Sequence, residues 1–271
     1  EKCEGHMSNQ AAVSGCLAAP WHKHEHPLNN GIAEPDQPVD NSLPARITKA
    51  ASKQTYYTIH YLVDEGQVTN AYRAYGYFRW VDDWLDQQAS KPSESLAFVE
   101  RQQALIEACY RGEPPRDLTP EERLLADLIA TDDEADSGLQ AYIRNLMAVM
   151  AFDAERKGHL ISKAELSEYS RLLATAVTEA MHYFIGHDHP SPRNAARYLA
   201  VTGAHVTHML RDTFEDVEAG YYNIPREVLE AHKIDAADVT SEAYRAWVRS
   251  RVELAREYFR AGRQCLAGVK S

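Results

Sequence analysis

From residue 45 onward the chain carries almost no strand signal. β-branched runs are few, and no alternating apolar–polar stretch leads into a hairpin turn. Helix starts and stops punctuate the sequence instead. Thr119-Pro120-Glu121-Glu122 combines an N-cap, a proline at the first helical position and a glutamate three residues after the cap. Ser162 with Glu165 is a second capping box, and Ser191-Pro192 opens a further helix. Gly158, Gly186 and Gly220 with Pro225 mark stops. The spacing predicts helices over 45–62, 67–88, 94–110, 120–131, 138–157, 163–185, 192–218 and 241–267. Long helices with short connections imply one all-α bundle over residues 45–271, not separate modules.

Residues 1–44 read differently. Gly5-His6-Met7 resembles a cloning remnant, and residues 8–44 hold Pro20, Pro27, Pro35, Pro38 and Pro44 without a clear period. They are expected to form a flexible leader, whose alternating His22, His24 and His26 read as a polar segment before they read as a metal site. Val13-Ser14-Gly15-Cys16 imitates a lipoprotein cleavage box, but the apolar stretch before it, Ala11 to Val13, is far short of a signal core.

Composition excludes several classes. With 29 Lys+Arg against 40 Asp+Glu, a net charge of −11 argues against a nucleic-acid binder held by a basic field. No apolar run approaches the roughly 18 residues of a membrane span, which leaves only peripheral membrane contact open. Four cysteines, Cys3, Cys16, Cys109 and Cys265, without close pairing, point to a reducing cytoplasm.

Chemistry concentrates in two stripes. In Tyr75-Gly76-Tyr77-Phe78-Arg79-Trp80-Val81-Asp82-Asp83-Trp84-Leu85-Asp86, helical spacing puts Tyr75, Arg79, Asp82 and Asp86 within about 60° of one another. Carboxylates at i, i+4 repel unless a positive charge sits between them. Mg²⁺ suits such hard oxygen donors and bridges to phosphate oxygens, which Arg79 can also contact. The second stripe, His205, His208, Asp212 and Asp216, shares a face in the same way. Two such helices facing each other in a bundle can clamp Mg²⁺ ions and a diphosphate, and so ionise an allylic diphosphate beside an apolar, aromatic cavity.

The residues in these stripes are similar to the motifs of the squalene/phytoene synthase family, the head-to-head trans-isoprenyl diphosphate synthases. The first motif matches Arg79-Trp80-Val81-Asp82-Asp83-Trp84-Leu85-Asp86. The second matches Leu210-Arg211-Asp212-Thr213-Phe214-Glu215-Asp216 followed by Gly220 and Ile224-Pro225. Ser52-Lys53, Phe152-Asp153-Ala154-Glu155-Arg156 and Tyr169 to Glu179 carry weaker likeness, so the resemblance spans roughly residues 46–267.

It implies the isoprenoid-synthase-type helical bundle with a central cavity. It also implies Mg²⁺-dependent condensation of two prenyl diphosphates of fifteen or twenty carbons through a cyclopropyl intermediate. Asp82, Asp86, Asp212 and Asp216 are then expected to hold metal with His208, and Tyr75 to lie at the cavity wall. Arg79, Arg211, Lys53, His205 and Arg171 are expected to meet the substrate.

The chain also departs from the family. His205 and His208 stand where the family has Gln and Asn, and imidazole prefers softer metals than Mg²⁺. Leu172 and Thr175 replace small glycines, Arg171 stands where an aromatic is common, and Tyr221 and Asn223 replace an Arg and a Tyr. The family's last helices are expected to be dispensed with after Ser271, to lie beyond a shortened stretch of chain, or to be supplied by another chain.

Other functions fit parts of this pattern. One is a terpene cyclase or another prenyl transferase using a single prenyl diphosphate. A di-iron bundle oxidase is another, because Glu179-Ala180-Met181-His182 is a Glu-x-x-His stretch. A third is a catalytically silent partner of a synthase.

Overall fold

A computed structural model describes residues 42–87, 91–186 and 194–267. These residues form α1 (Leu43–Ala51), α2 (Lys53–Leu62), α3 (Val68–Gln87), α4 (Pro92–Tyr110), α5 (Pro120–Ile129) and α6 (Gly138–Arg156). There follow α7 (Lys163–Ile185), α8 (Leu199–Arg211), α9 (Thr213–Glu218), α10 (Arg226–His232) and α11 (Glu242–Ala267). Single 3-10 turns lie at Glu65–Gln67 and Ala195–Tyr198. The expected all-α fold is present, and among the described residues no helix is long and apolar enough to cross a membrane.

The leader expected for residues 1–44 lies outside the described residues up to residue 41, and α1 begins inside its expected limit, at Leu43. The helix start at Ser191-Pro192 also lies outside them.

Capping chemistry explains where the helices begin. Both expected capping boxes are closed: Glu122 N donates to Thr119 Oγ1 over 3.1 Å and Glu165 N to Ser162 Oγ over 3.2 Å. It also explains the departures. The helix expected over 45–62 is split at Ser52, whose backbone is extended and whose Oγ accepts from Thr55 N over 3.1 Å. The serine side chain gives the backbone an alternative to continuing the first helix. The helix expected over 192–218 bends at Asp212 (φ −92°, ψ 10°). There the Thr213 hydroxyl donates back to Met209 O and Leu210 O over 3.0 and 3.1 Å, competing with the helical ladder. The short α10, with its N-cap at Pro225, was not expected.

The main core gathers around α3. Tyr72, Tyr77, Phe78 and Val81 are buried there against residues such as Leu125, Leu128, Ile143 and Met147. Each such side chain contributes about 1.5–3 kcal/mol when removed from water. The tyrosines bring hydroxyls that must find partners. Tyr72 donates to Tyr56 O over 3.1 Å, and Tyr77 to Gln102 Oε1 over 3.0 Å. Gln102 in turn donates to the buried Glu122, which also takes the Arg101 guanidinium. Tyr61 of α2, by contrast, is 56% exposed.

From the core, α6 packs on α4 and α7, α7 on α8, and α8 on α11. A second, smaller cluster of Ile224, Leu229, Ala236 and Tyr244 anchors the segment after α9. That segment is sewn to the end of α6 by Gly158 N donating to Gly220 O (2.8 Å), the Leu160–Tyr222 bridge and Arg226 N donating to Ile161 O (2.8 Å). Gly158 and Gly220 have φ of +80° and +87°, a region where a side chain would be strained. The stitching presses Tyr221 and Asn223 against α6, and this places the site.

Candidate active site

Twenty residues of α3 present the first stripe. Asp82 is 8% exposed, enclosed by the core that flanks it at Val81. Arg79 lies along the helix between carboxylates: Nη1 is 3.2 Å from Asp82 Oδ2, and the guanidinium forks onto Asp83, with Nε donating to Oδ2 over 3.1 Å. Asp82 Oδ2 is nevertheless buried without a hydrogen bond in good geometry. Burial pushes the Asp82 carboxyl up to about 8, against the pull of Arg79 and with the added repulsion of Asp86, Asp83 and Asp153. Tyr75 is half-buried on the same face, and its hydroxyl is raised by burial while a hydrogen bond with Thr55 at the start of α2 opposes the shift.

The second stripe is divided by the bend at Asp212. His205 and His208 sit on α8 and Asp216 on α9. Arg211 forks onto its neighbour Asp212, Nε to Oδ1 over 2.5 Å and Nη2 to Oδ2 over 2.7 Å, and stays largely exposed. Asp216 is 4% exposed and accepts from Asn223 Nδ2 over 2.6 Å.

The end of α6 joins the two stripes. Arg156 is buried, donates from Nε to Asp153 Oδ1 over 2.6 Å and from Nη1 to Asn223 Oδ1 over 2.8 Å. Its guanidinium stacks against Tyr169 and Tyr221, 4.7 and 5.1 Å from the ring centroids. Tyr169 donates to Asp153 Oδ2 over 3.1 Å. From Asp153 the chain of polar contacts runs through Arg156 and Asn223 to Asp216. The first stripe reaches the same place: burial raises the Tyr221 hydroxyl, and Asp153, Asp86 and Asp82 add to it against Arg156. The two aspartate stripes therefore converge on Tyr221 and the end of α6.

Asp153 and Arg156 stand in the sequence only within a weak family likeness that implies no role for either. The available signal was an Asp and an Arg at i, i+3 on one helix face, after Phe152 and ahead of Tyr169. Tyr221 and Asn223, expected only as the loss of two family contacts, both touch Arg156.

A cleft of about 30 Å³ is lined by Arg156, Tyr169, His205, His208, Asp212 and Asp216 among others. Its volume is about the share of one water in the liquid. His205 is 7% exposed, with its ring 5.3 Å from that of Tyr169 and Nε2 buried without a partner. Burial, then the positive charges of His208, Arg156 and Arg251, bring its pKa down to about 3, so the imidazole is neutral.

Two expected substrate contacts are not drawn in. Arg171 is exposed and forks onto Glu168 one turn away on α7, since the neighbouring Ser170 and Leu173 take the buried face. Lys53 is exposed at the first turn of α2. Glu179 is 1% exposed and holds Arg197 (3.0 Å) and the Tyr198 hydroxyl (2.8 Å), a structural ion pair rather than a metal arm. The loop His187-Asp188-His189 lies outside the described residues.

Among the described residues no three His, Cys, Asp or Glu side chains stand close enough to share one ion. Arg79 and Arg211 instead occupy carboxylates of the two rows. The donor set still suits a hard divalent cation: it is all carboxylate oxygen apart from His208, and burial holds the Asp82 carboxyl up at about 8 in spite of Arg79.

Compared with known families, residues 48–271 match the family model described as squalene/phytoene synthase, a span from within α1 to the end of the chain. No curated protein matches the chain.

Proposed function

The chain belongs to the squalene/phytoene synthase family, and on that premise we propose that it is a Mg²⁺-dependent transferase acting on prenyl diphosphates by head-to-head condensation. The observation that carries this reading is the convergence of both aspartate rows on Tyr221, Asp153 and Arg156. Separate acidic faces would have no diphosphate to share.

In this reading Asp82, Asp86, Asp212 and Asp216 hold the cation, with His208 beside them. Mg²⁺, when bound, supplies the positive charge that stabilises the departing diphosphate. Arg79 and Arg211 already sit among these carboxylates and can exchange a carboxylate oxygen for a phosphate oxygen, because the guanidinium fork fits both. The C1–O bond of the allylic diphosphate breaks with its electron pair leaving on oxygen. The double bond of the second prenyl chain then attacks C1, and loss of a proton closes the cyclopropane. Tyr169, Tyr221 and Phe152 offer ring faces to positive charge, as they do to Arg156.

One observation favours a second reading, the use of a single prenyl diphosphate. The cleft beside the second row is small.

The test is incubation with farnesyl or geranylgeranyl diphosphate and Mg²⁺, with products identified by mass spectrometry. A cyclopropyl or fully condensed product of two chains supports the first reading, and a cyclised or hydrolysed single chain the second. No diphosphate release with any divalent metal would sink both.

A further inference from the structure

The second aspartate row does not lie on one straight helix. At Asp212 the backbone turns to φ −92° and ψ 10°, against about −63° and −42° in a regular helix. The ladder holds on either side, with Asp212 N donating to His208 O over 3.0 Å and Asp216 N to Asp212 O over 2.8 Å. Between them, among the described residues, no backbone N–H of Thr213, Phe214 or Glu215 reaches the carbonyl four residues before it. The Met209 and Leu210 carbonyls are taken instead by the Thr213 hydroxyl, over 3.0 and 3.1 Å.

Thr213 is itself held. It is buried, and so is Tyr244 in the first turn of α11. Burial raises the Tyr244 hydroxyl to about 12, the charge of Asp216 adds to this, and a hydrogen bond with Thr213 opposes it. Thr213 spends its single proton on the α8 carbonyls, so the phenol is the donor of that pair. Tyr244 also clusters with Ile224, Leu229 and Ala236, which ties the bend to the segment that carries Asn223. On one side of the bend Asp212 takes the Arg211 fork, and on the other Asp216 takes the Asn223 amide.

We propose that Thr213 and Tyr244 are positioning residues, which hold the bend that sets Asp212 and Asp216 relative to each other and so fit the row to a divalent cation. The proposal rests on the metal role given to that row above. Neither side chain is a ligand, and each acts through the aspartates. In one straight helix the two carboxylates would stand about 6 Å apart along the axis and about 40° apart around it. The interrupted ladder frees α9 from that constraint, so Asp216 is drawn to Asn223 while Asp212 stays at the cleft with His208. The hydroxyl does this by competing with backbone amides for their carbonyls, as threonine does where it bends a helix. Thr213→Val keeps the shape of the side chain and removes the competitor, so the amides close on the carbonyls and α9 falls back into line with α8.

The experiment has a metal-free and a metal-bound arm, both on the full chain. Hydrogen exchange in EDTA, read by mass spectrometry on fragments that cover 209–217, follows the ladder. Thr213→Val is expected to slow exchange of the 213–215 amides by at least about tenfold, and Tyr244→Phe by a smaller factor. The second arm reads Mg²⁺ affinity as the concentration that half-completes the metal-induced rise in melting temperature. Thr213→Val is expected to need about tenfold more Mg²⁺, whereas Thr213→Ser, which keeps the hydroxyl, should match wild type in both arms. A side chain that served the fold alone would shift the melting temperature and leave that concentration unchanged. Circular dichroism checks that each variant is folded, and if Thr213→Val is not, Tyr244→Phe is read in both arms. Wild-type exchange at 213–215 in the folded variants overturns the hold on the bend. Slowed exchange with wild-type Mg²⁺ affinity overturns its part in positioning. A wild-type chain that gives no response to Mg²⁺ removes the metal reading and that part with it, while exchange in EDTA still decides what holds the bend.

Discussion

Asn223 donates a 2.6 Å hydrogen bond to Asp216 seven residues before it, across the turn at Gly220. The same amide accepts from Arg156 on α6 over 2.8 Å. One neutral side chain thus relays between a buried guanidinium and a buried carboxylate that do not pair directly. It also fixes the second aspartate row relative to α6, and through Asp153 relative to the first.

Asn223→Ala should therefore act on stability as well as on activity. It leaves Asp216 and Arg156 each short of a buried partner, which costs about 1–3 kcal/mol per group. Urea unfolding of variant and wild type measures the loss. An unchanged midpoint would mean that water replaces the relay at no cost.

Asp82 should make the fold less stable as pH rises. Its carboxyl is pushed up to about 8 in the folded chain, by burial first and then by its neighbours, against the ordinary value of 3.8. The folded state then binds more protons than the unfolded state between those values, so stability falls from about pH 4 to about pH 8. Asp82→Asn should flatten that part of the profile and raise the melting temperature at pH 8 and above. Added Mg²⁺ should raise the wild-type melting temperature most at the alkaline end, where the carboxylate is ionised. Thermal melts from pH 5 to 9, with and without Mg²⁺, check both expectations.

Asp216→Asn is expected to abolish Mg²⁺-dependent turnover with little change in the helical circular dichroism spectrum, because the amide can keep a bond with Asn223. A variant that loses its helices instead would assign Asp216 to the fold.

His208→Asn should preserve or raise Mg²⁺-dependent activity, since an amide oxygen is a harder donor than imidazole. Steady-state rates over a range of Mg²⁺ concentrations test this. An inactive variant would give His208 a role as acid or base.

Glu179→Ala should destabilise the fold by about 3–5 kcal/mol, the cost of leaving a buried charge, here Arg197, without its partner. Elemental analysis of the wild-type protein should find no stoichiometric iron. Iron at two atoms per chain would revive the oxidase reading despite the ion pair.

Much of this was legible in advance, for reasons that differ by residue. Thr119 and Ser162 announced their helices because a capping box is satisfied within four residues of sequence. Asp82 and Asp86 announced a face because helical periodicity is local. The break at Asp212 was hidden in the Thr213 hydroxyl, whose choice between solvent and the Met209 carbonyl no periodicity reports. The pairing of Arg171 with Glu168 was hidden because the sequence gives a position along α7 but not the direction in which a long side chain leaves it.

The sequence by itself determined the all-α class, most helix limits from residue 67 to 185, and the two aspartate rows. These depend on interactions between residues a turn apart. Only the tertiary structure decided that Asp82 and Asp86 come within electrostatic reach of Tyr221, and that Arg156 and Asn223 tie Asp216 to the end of α6. Those facts depend on how the segment after α9 is stitched to α6. That is settled by backbone hydrogen bonds and packing between residues far apart in the chain, where local pattern carries no information.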